Sequence, residues 1–438
     1  MPPSAPRVWL TTLGCAKNQV DSDKISGRLD AAGYRVAQSP EDADVVMVNT
    51  CAFIEAARRE SIDAVLEAAG TKRPDARLVV LGCMAQRYQA DLAEALPEAD
   101  AVIGLERYQE LVSELDRLTG WEPRRPAPPS GMDILYDVRR PAPETPYAYV
   151  KVAEGCDKTC SFCAIPQFRG AQRSRPPLNI RREVADLAGA GVGEVVLVAQ
   201  DLAAYGRDIG APGGIVELLR VLSDVDGLRR LRLLYLYPRE VTPALIEEMA
   251  LNPLVAPYFD LSLQHASGPL LRAMRRPGDA VRHLALIEAI RSAEPDAATR
   301  SSFIVGFPGE TDADVDLLEQ FLAEARLDWA GFFPFSAEEG TAAAGLPGRV
   351  DEGLTGERLR RLQAVQEEIT AESSAARVGR RVTVLVDQVE DGVPVARSYR
   401  EAPEIDGVIV LDRGEPGDWL SARLTGSYGA DTTAEVVG

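Results

Sequence analysis

The sequence predicts an α/β chain in three parts: a βαβ parallel-sheet domain, a longer run of strands and helices, and a small all-β domain. Short Val- and Leu-rich runs alternate with amphipathic stretches over residues 1–122, which is the pattern of parallel βαβ units. Six more strand-like runs, with helical patterns between several of them, occupy residues 147–372, and residues 373–438 turn β-rich. With 438 residues, 46% of them hydrophobic and 26% charged, the chain can build two or three separate cores, which excludes collagenous, coiled-coil and wholly disordered classes.

In the first part, Val8–Leu13, Val45–Val48 and Leu78–Leu81 read as strands, separated by helical patterns such as 21–32 and 55–69. Residues 123–146 hold seven prolines and no sustained periodicity, and read as a linker or wrapping segment. The middle part opens with the strand YAYVKVAEG, and further strands read at Glu194–Val198, Leu231–Leu236, Phe259–Leu263, Ser302–Val305 and Gly331–Phe335. A charged amphipathic helix within 354–381 then leads into the β-rich tail.

The formal charge of −19 argues against nucleic acid as the default partner, because affinity for phosphate backbones comes from basic side chains displacing counterions. The start, MPPSAPRVWL, lacks a charged leader followed by an apolar stretch, and nowhere do about 18 apolar residues run together, so a cytoplasmic protein without a membrane span is expected. Only His265 and His283 are present, which leaves the six cysteines as the metal-ligating candidates. In a reducing compartment such clusters bind metal or react rather than form disulfides.

Cys15, Cys51 and Cys83 each follow one of the first three strands. Parallel strands end on one edge, where open α/β sheets bind ligands, so the topology brings three distant thiols to one mouth. Three unrelated buried cysteines would be the bland alternative, but a strand-end position repeated in three units speaks against it. Three thiolates without a nearby histidine suit an iron-sulfur cluster with one iron left open better than a four-ligand zinc site. Cys156, Cys160 and Cys163 form C-x3-C-x2-C on a loop after the next strand. That spacing suits three corners of a four-iron cubane, whose open iron can chelate the amino and carboxylate groups of S-adenosylmethionine. These three cysteines are the expected catalytic residues.

The loop, with Phe162 before its last cysteine, resembles the signature of the radical S-adenosylmethionine (radical SAM) superfamily. The resemblance implies an incomplete (β/α)6 barrel whose active site lies at the carboxyl ends of the strands. There the sequence shows Gln200, Asp201, Tyr237, Gln264, His265 and the FPGE turn at Phe307–Glu310. The resemblance makes Phe162, Gln200, Gln264 and Arg300 candidates for holding the cofactor, whereas His265, beside an apolar strand, reads as a core residue or a proton carrier.

Two three-cysteine sites in this order, followed by a small β domain, resemble the radical SAM methylthiotransferases over nearly the whole chain. The tail looks like their TRAM domain, a small OB-like barrel. LGCAKNQVDSD around Cys15, FRGAQRSRP (168–176), VAQDLAAYG (198–206), YFDLSLQHAS (258–267) and ARSYREAPEIDG (396–407) are most similar to the branch that modifies the twelfth protein of the small ribosomal subunit. Ser262 stands where proline is expected. The resemblance implies two [4Fe-4S] clusters and two S-adenosylmethionine molecules per turnover. One molecule methylates sulfur at the cluster of Cys15, Cys51 and Cys83. The other is cleaved at the cluster of Cys156, Cys160 and Cys163, and its radical takes a hydrogen from the β-carbon of a substrate aspartate. It also implies a low-potential electron donor such as flavodoxin or ferredoxin, and as substrate the ribosomal protein or the assembled subunit. The competing readings are a tRNA (N6-isopentenyl)adenosine methylthiotransferase and a non-enzymatic iron-sulfur electron carrier. Six arginines and no lysine against eleven carboxylates leave residues 380–438 at a net −5, which suits a basic protein partner better than tRNA.

Overall fold

The structure, a computed structural model, describes residues 5–121 and 138–437. Residues 123–137 of the expected linker lie outside the described residues. Two compact units make up the chain: Met1–Ala142 with Glu154–Asp157 and Cys163–Gln172, and the remainder.

In the first unit five parallel strands, β1 (Arg7–Thr12), β2 (Arg35–Val36), β3 (Val45–Thr50), β4 (Arg77–Leu81) and β5 (Ala101–Ile103), stand in the order β2-β1-β3-β4-β5. Helices α1 (Ala16–Ala31), α2 (Glu55–Thr71), α3 (Gly82–Ala95) and α4 (Leu111–Thr119) supply the crossovers, and α5 (Ile165–Arg169) joins them. Every residue of β3 is buried, which explains its unbroken apolar run. Val45 and Met47 pack with Ile25 of α1 and Leu111 of α4, while Val46 and Val48 pack with Val65 of α2 and Phe168 of α5. Helix α1 begins at Ala16, earlier than its apolar pattern indicates, because its first turns bury polar side chains: Lys17, Asn18, Asp21 and Ser22.

The second unit opens with β6 (Tyr147–Lys151) and the short strands β7 (Ala153–Glu154) and β8 (Arg173–Ser174). Strands β9 (Glu194–Val198), β10 (Arg230–Leu233), β11 (Tyr258–Gln264), β12 (Ala298–Val305) and β13 (Trp329–Pro334) complete the expected barrel wall. Parallel sheets β6-β9-β10 and β11-β12-β13 are linked by bridges at Leu231 with Val255 and Leu236 with Leu261. Helices α6 (Pro177–Gly189), α7 (Gly214–Ser223), α8 (Pro243–Leu251), α9 (Gly268–Ala273), α10 (Ala280–Ala293), α11 (Asp312–Ala325) and α12 (Glu352–Ala375) follow. The chain ends in a closed barrel of β14 (Arg381–Glu390), β15 (Val393–Arg397), β16 (Ile409–Leu411), β17 (Trp419–Tyr428) and β18 (Asp431–Val436). Among the described residues no helix is long and apolar enough to cross a membrane.

The loop between β15 and β16 packs on the amino-terminal half of each barrel strand. Arg397 reaches Glu194 at 3.1 Å, and the Ser398 carbonyl accepts from Arg230 and Arg232. Tyr147 donates to Glu404 at 2.8 Å, Tyr258 to Asp406 at 2.6 Å, and the Trp329 indole to the Arg400 carbonyl at 2.8 Å. Arg300, the third residue of β12, joins Asp260 and Asp406. Six barrel strands thus carry polar side chains near their starts because this loop needs partners there, and the carboxyl ends are left for chemistry.

Burial alone would raise the pKa of Glu194, but Arg397, Arg232 and Arg230 outweigh it and hold the group at about 2. A carboxylate depressed below its unfolded value stabilises the fold above that value and loses the contribution as the pH falls through the folded one. Glu194→Gln should therefore cost about 3–5 kcal/mol at pH 7 by leaving buried guanidiniums unpaired. The gap to the parent should close between pH 4.5 and 2. Urea midpoints at pH 7 and at the acid end check this.

Candidate functional site

Strand order in the first unit reverses at β1, so the chain's topological switch point lies between the carboxyl ends of β1 and β3. Cys15 sits just beyond β1 as the residue that caps α1, Cys51 directly follows β3, and Cys83 is the second residue of α3 after β4. The register pairs Asn49 with Thr12 and with Leu81, and Thr50 with Gly82, which sets the three thiols side by side along one edge.

Two glycines make this close approach possible. Gly14 has φ +93°, and a Cβ there would meet the Cys51 Cβ at 2.8 Å and its Sγ at 2.9 Å. At Gly82, φ is +92° and a Cβ would fall 2.2 Å from Asn49 Oδ1. Both precede a cysteine, so the Gly-Cys pairs of LGC at 13–15 and 81–83 are requirements of the backbone.

Asn18 ties the edge together: its amide donates to the carbonyls of Leu13 at 2.9 Å and Thr50 at 3.2 Å, while its Oδ1 accepts from Cys83 Sγ at 3.4 Å. Asn49 donates to the Asn18 carbonyl at 3.0 Å and to Ser22 Oγ at 2.8 Å. Ser61 Oγ accepts from the Cys51 N–H at 3.0 Å. Arg169, at the end of α5, donates from Nη2 to Cys83 Sγ at 3.1 Å.

The three thiols differ electrostatically. Burial would raise Cys15, but Lys17, Arg169 and the N–H groups of the first turn of α1 bring it below the ordinary thiol value. Burial raises Cys51, and it pushes Cys83 up to about 12 against the pull of Arg169. Cys15 raises Cys51, and Cys15 and Cys51 both raise Cys83, so these thiols feel one another's charge. A metal cluster neutralises that mutual repulsion, so this trio fits a three-cysteine iron-sulfur group.

On the second trio's loop, the Cys156 N–H donates to the Gly170 carbonyl at 3.0 Å, and Gly155 turns at φ +79° where a Cβ would lie 2.1 Å from the Ala171 carbonyl oxygen. Arg276 Nη1 lies 3.7 Å from Cys160 Sγ. Ser161 is pinned by the Met274 and Ala273 carbonyls, and Phe162 packs half-buried against the apolar cluster of Leu270, Leu271, Met274 and Phe307. All three cysteines are only partly buried, which leaves the loop accessible to a ligand.

At the carboxyl ends of the barrel strands, Gln200 stands half-buried past β9 and Gln264 ends β11. Gln264 takes φ +73° and Tyr235, beyond β10, φ +64°. Left-handed non-glycine residues at strand ends store strain of the kind that marks ligand sites. Sequence reasoning named Asp201 and Tyr237 of the cluster beside them and missed Lys158, Glu240 and Arg276. Lys158 lies 3.3 Å from the buried Asp201 and 2.7 Å from Glu240, and sits over the Tyr237 ring at 4.4 Å. Arg276 covers the same ring at 4.0 Å. The lysine of CDKTC was the available signal.

Arg300, expected to hold a cofactor, lies five residues before the carboxyl end of β12, with its guanidinium engaged by Asp260 at 2.9 Å and Asp406 at 3.3 Å. Its place is with the β15–β16 loop, because a side chain in the first half of a parallel strand faces the amino-terminal end of the barrel. His265 is fully buried, and its Nδ1 accepts the N–H groups of Ala266 and Ser267 at 2.9 Å, which makes it a core residue. Glu310 of the FPGE turn accepts from the Gly306 N–H and from Arg358.

Family models match along the chain: Uncharacterized protein family UPF0004 over residues 7–104, the Radical SAM superfamily over 150–322 and the TRAM domain over 378–437. The chain is 44% identical to the ribosomal protein uS12 methylthiotransferase RimO of Streptomyces griseus, covering 99% of this chain and 98% of that protein. It is 42% identical to the RimO of Cutibacterium acnes, covering 98% and 97%. Among solved structures it resembles the radical S-adenosylmethionine methyltransferase TsrM from Kitasatospora setae, with a TM-score of 0.55 and 16% identity over 75% of each chain, a likeness of fold.

Gly14→Ala should cost about 1–3 kcal/mol through its left-handed backbone and displace Cys51. The expected result after anaerobic reconstitution is loss of the iron bound by the first trio, read by iron analysis beside a thermal melt.

Proposed function

The chain belongs to the family of the ribosomal protein uS12 methylthiotransferases, and we propose that it adds a methylthio group to the β-carbon of an aspartate in that ribosomal protein. The convergence of Cys15, Cys51 and Cys83 at the switch point of the first sheet, in a chain that also carries C-x3-C-x2-C, supports this reading most directly. Cys15, Cys51 and Cys83 hold one [4Fe-4S] cluster, and Cys156, Cys160 and Cys163 hold a second that binds S-adenosylmethionine. When bound, these groups supply the one-electron reduction and the sulfur-donor chemistry that no side chain provides.

The hydrogen on an aspartate β-carbon is too weakly acidic for a side-chain base, so tuned acid-base catalysis would not serve. Both histidines are buried, consistent with a site that employs neither as a base. The protein's part is placement and exclusion of water. Phe162 and its apolar neighbours hold the cysteine loop, Arg276 flanks Cys160, and Gln200, Gln264 and the Lys158–Asp201 pair provide polar contacts for the cofactor. Two S-adenosylmethionine molecules serve each turnover, one for the methyl group and one for the radical. Electrons come from an external low-potential donor of the flavodoxin or ferredoxin class. Six thiols free of disulfides suit a reducing cytoplasm. The net −5 of residues 380–438 favours a basic ribosomal protein over tRNA as the partner.

Anaerobically reconstituted protein should bind two four-iron clusters. A Cys156→Ala, Cys160→Ala, Cys163→Ala variant should stop deoxyadenosine formation and keep methyl transfer to bound sulfur; deoxyadenosine from that variant would reverse the assignment of the two sites. Cys51→Ala should do the opposite, sparing deoxyadenosine while abolishing the methylthio product.

In a deletion strain, mass spectrometry should find the ribosomal protein without its methylthio group and the tRNA nucleosides unchanged. Loss of a tRNA methylthio nucleoside instead would replace the substrate.

A further inference from the structure

Arg169 is nearly fully buried, and each of its contacts points to a use beyond packing. It closes α5, six residues after Cys163. Nη1 donates to Asp21 at 3.1 Å and to both carboxylate oxygens of Glu154 at 3.0 and 2.9 Å. Nη2 donates to Asn18 Oδ1 at 2.6 Å and to Cys83 Sγ at 3.1 Å. Balancing Asp21 and Glu154 would require only the first nitrogen. The second is aimed at a sulfur by Asn18, which also braces the strand ends on which Cys15 and Cys51 stand.

We propose that Arg169 is a positioning residue for the cluster of Cys15, Cys51 and Cys83: its Nη2 hydrogen bond fixes the Cys83 sulfur and raises the reduction potential of that cluster. The inference rests on the reading of those cysteines as cluster ligands. A donor to a ligating sulfur withdraws electron density from the iron-sulfur bond and favours the reduced, more negative cluster. The planar fork suits the task, since one guanidinium can be held on one side by two carboxylates while presenting a directed N–H on the other, which an ammonium cannot do. Because Glu154 precedes Cys156 by two residues, the same guanidinium also ties Cys83 to the segments that flank the second cysteine loop.

The test uses the full chain with Cys156→Ala, Cys160→Ala and Cys163→Ala, so that only the first trio binds iron. Arg169, Arg169→Met and Arg169→Lys versions are reconstituted anaerobically and compared by iron content, by potentiometric titration followed by electron paramagnetic resonance, and by the iron-thiolate stretch in resonance Raman spectra. Arg169→Met should bind iron with a lowered potential and an iron-thiolate stretch shifted to higher frequency, and Arg169→Lys should fall between. If the Met variant does not fold, the Lys variant alone must still show the lowered potential. Coincident potentials and spectra in all versions would overturn the inference while leaving the cluster assignment standing. If the version with Arg169 intact binds no four-iron cluster, the reading of Cys15, Cys51 and Cys83 fails, and this inference with it.

Discussion

Parallel strands finish on the same edge of their sheet, and the chemistry of this chain depends on that constraint. In the first unit it converts three cysteines separated by tens of residues into neighbours, because β1, β3 and β4 are adjacent and each hands its next residues to the same mouth. In the second unit it places Gln200, Tyr235 and Gln264 at one end of six strands and Tyr147, Glu194, Arg230 and Trp329 at the other. A hydrogen-bonded ladder fixes both ends at once, since the side chains that follow the last paired residues cannot slip without breaking the register.

The two ends of the second unit's strands then serve different purposes. At the amino-terminal end, buried charges are paired almost completely with the loop between β15 and β16, as expected where unpaired charge would be costly. Asp406, in that loop, is pushed up to about 6 by burial despite Arg300 and Tyr258 beside it. At the carboxyl end, residues take left-handed backbone at Tyr235 and Gln264, and Lys158, itself paired with Asp201 and Glu240, covers the Tyr237 ring together with Arg276. Strain and unsettled charge collect where a ligand can relieve them.

The three thiols of the first trio stand in unequal electrostatic surroundings. Cys15 receives a helix terminus and two cations and so sits below the ordinary thiol value, whereas Cys83 is buried and lies well above it. Gly14 and Gly82 let the strand ends approach closely, Cys51 and Cys83 are buried there while Cys15 is partly exposed, and Asn18 and Arg169 are hydrogen-bonded to the Cys83 sulfur. The same low dielectric that penalises an empty thiolate strengthens each of those contacts once a cation centre neutralises the group.

Much of this was legible in the residues. Local apolar runs located β3, β4 and β9 closely, since a strand buried on both faces leaves an unbroken Val and Leu signature, and C-x3-C-x2-C needs no tertiary information to be recognised. β2 and β5 escaped because two or three paired residues carry no period. Helix α1 was placed late because its first turns bury polar groups, and the run that looked hydrophilic is the one that braces the cysteines. Arg169 and Arg300 could be assigned only by the fold. A guanidinium reveals its purpose through partners far along the chain, Cys83 for the one and Asp406 for the other, and those meetings are set by strand order and register. The sequence by itself therefore determined which thiols are the candidates for ligating iron, because ligand chemistry belongs to residue type. The tertiary structure decided which sulfur receives a hydrogen bond and which arginine serves a loop, because those depend on distances that no local pattern encodes.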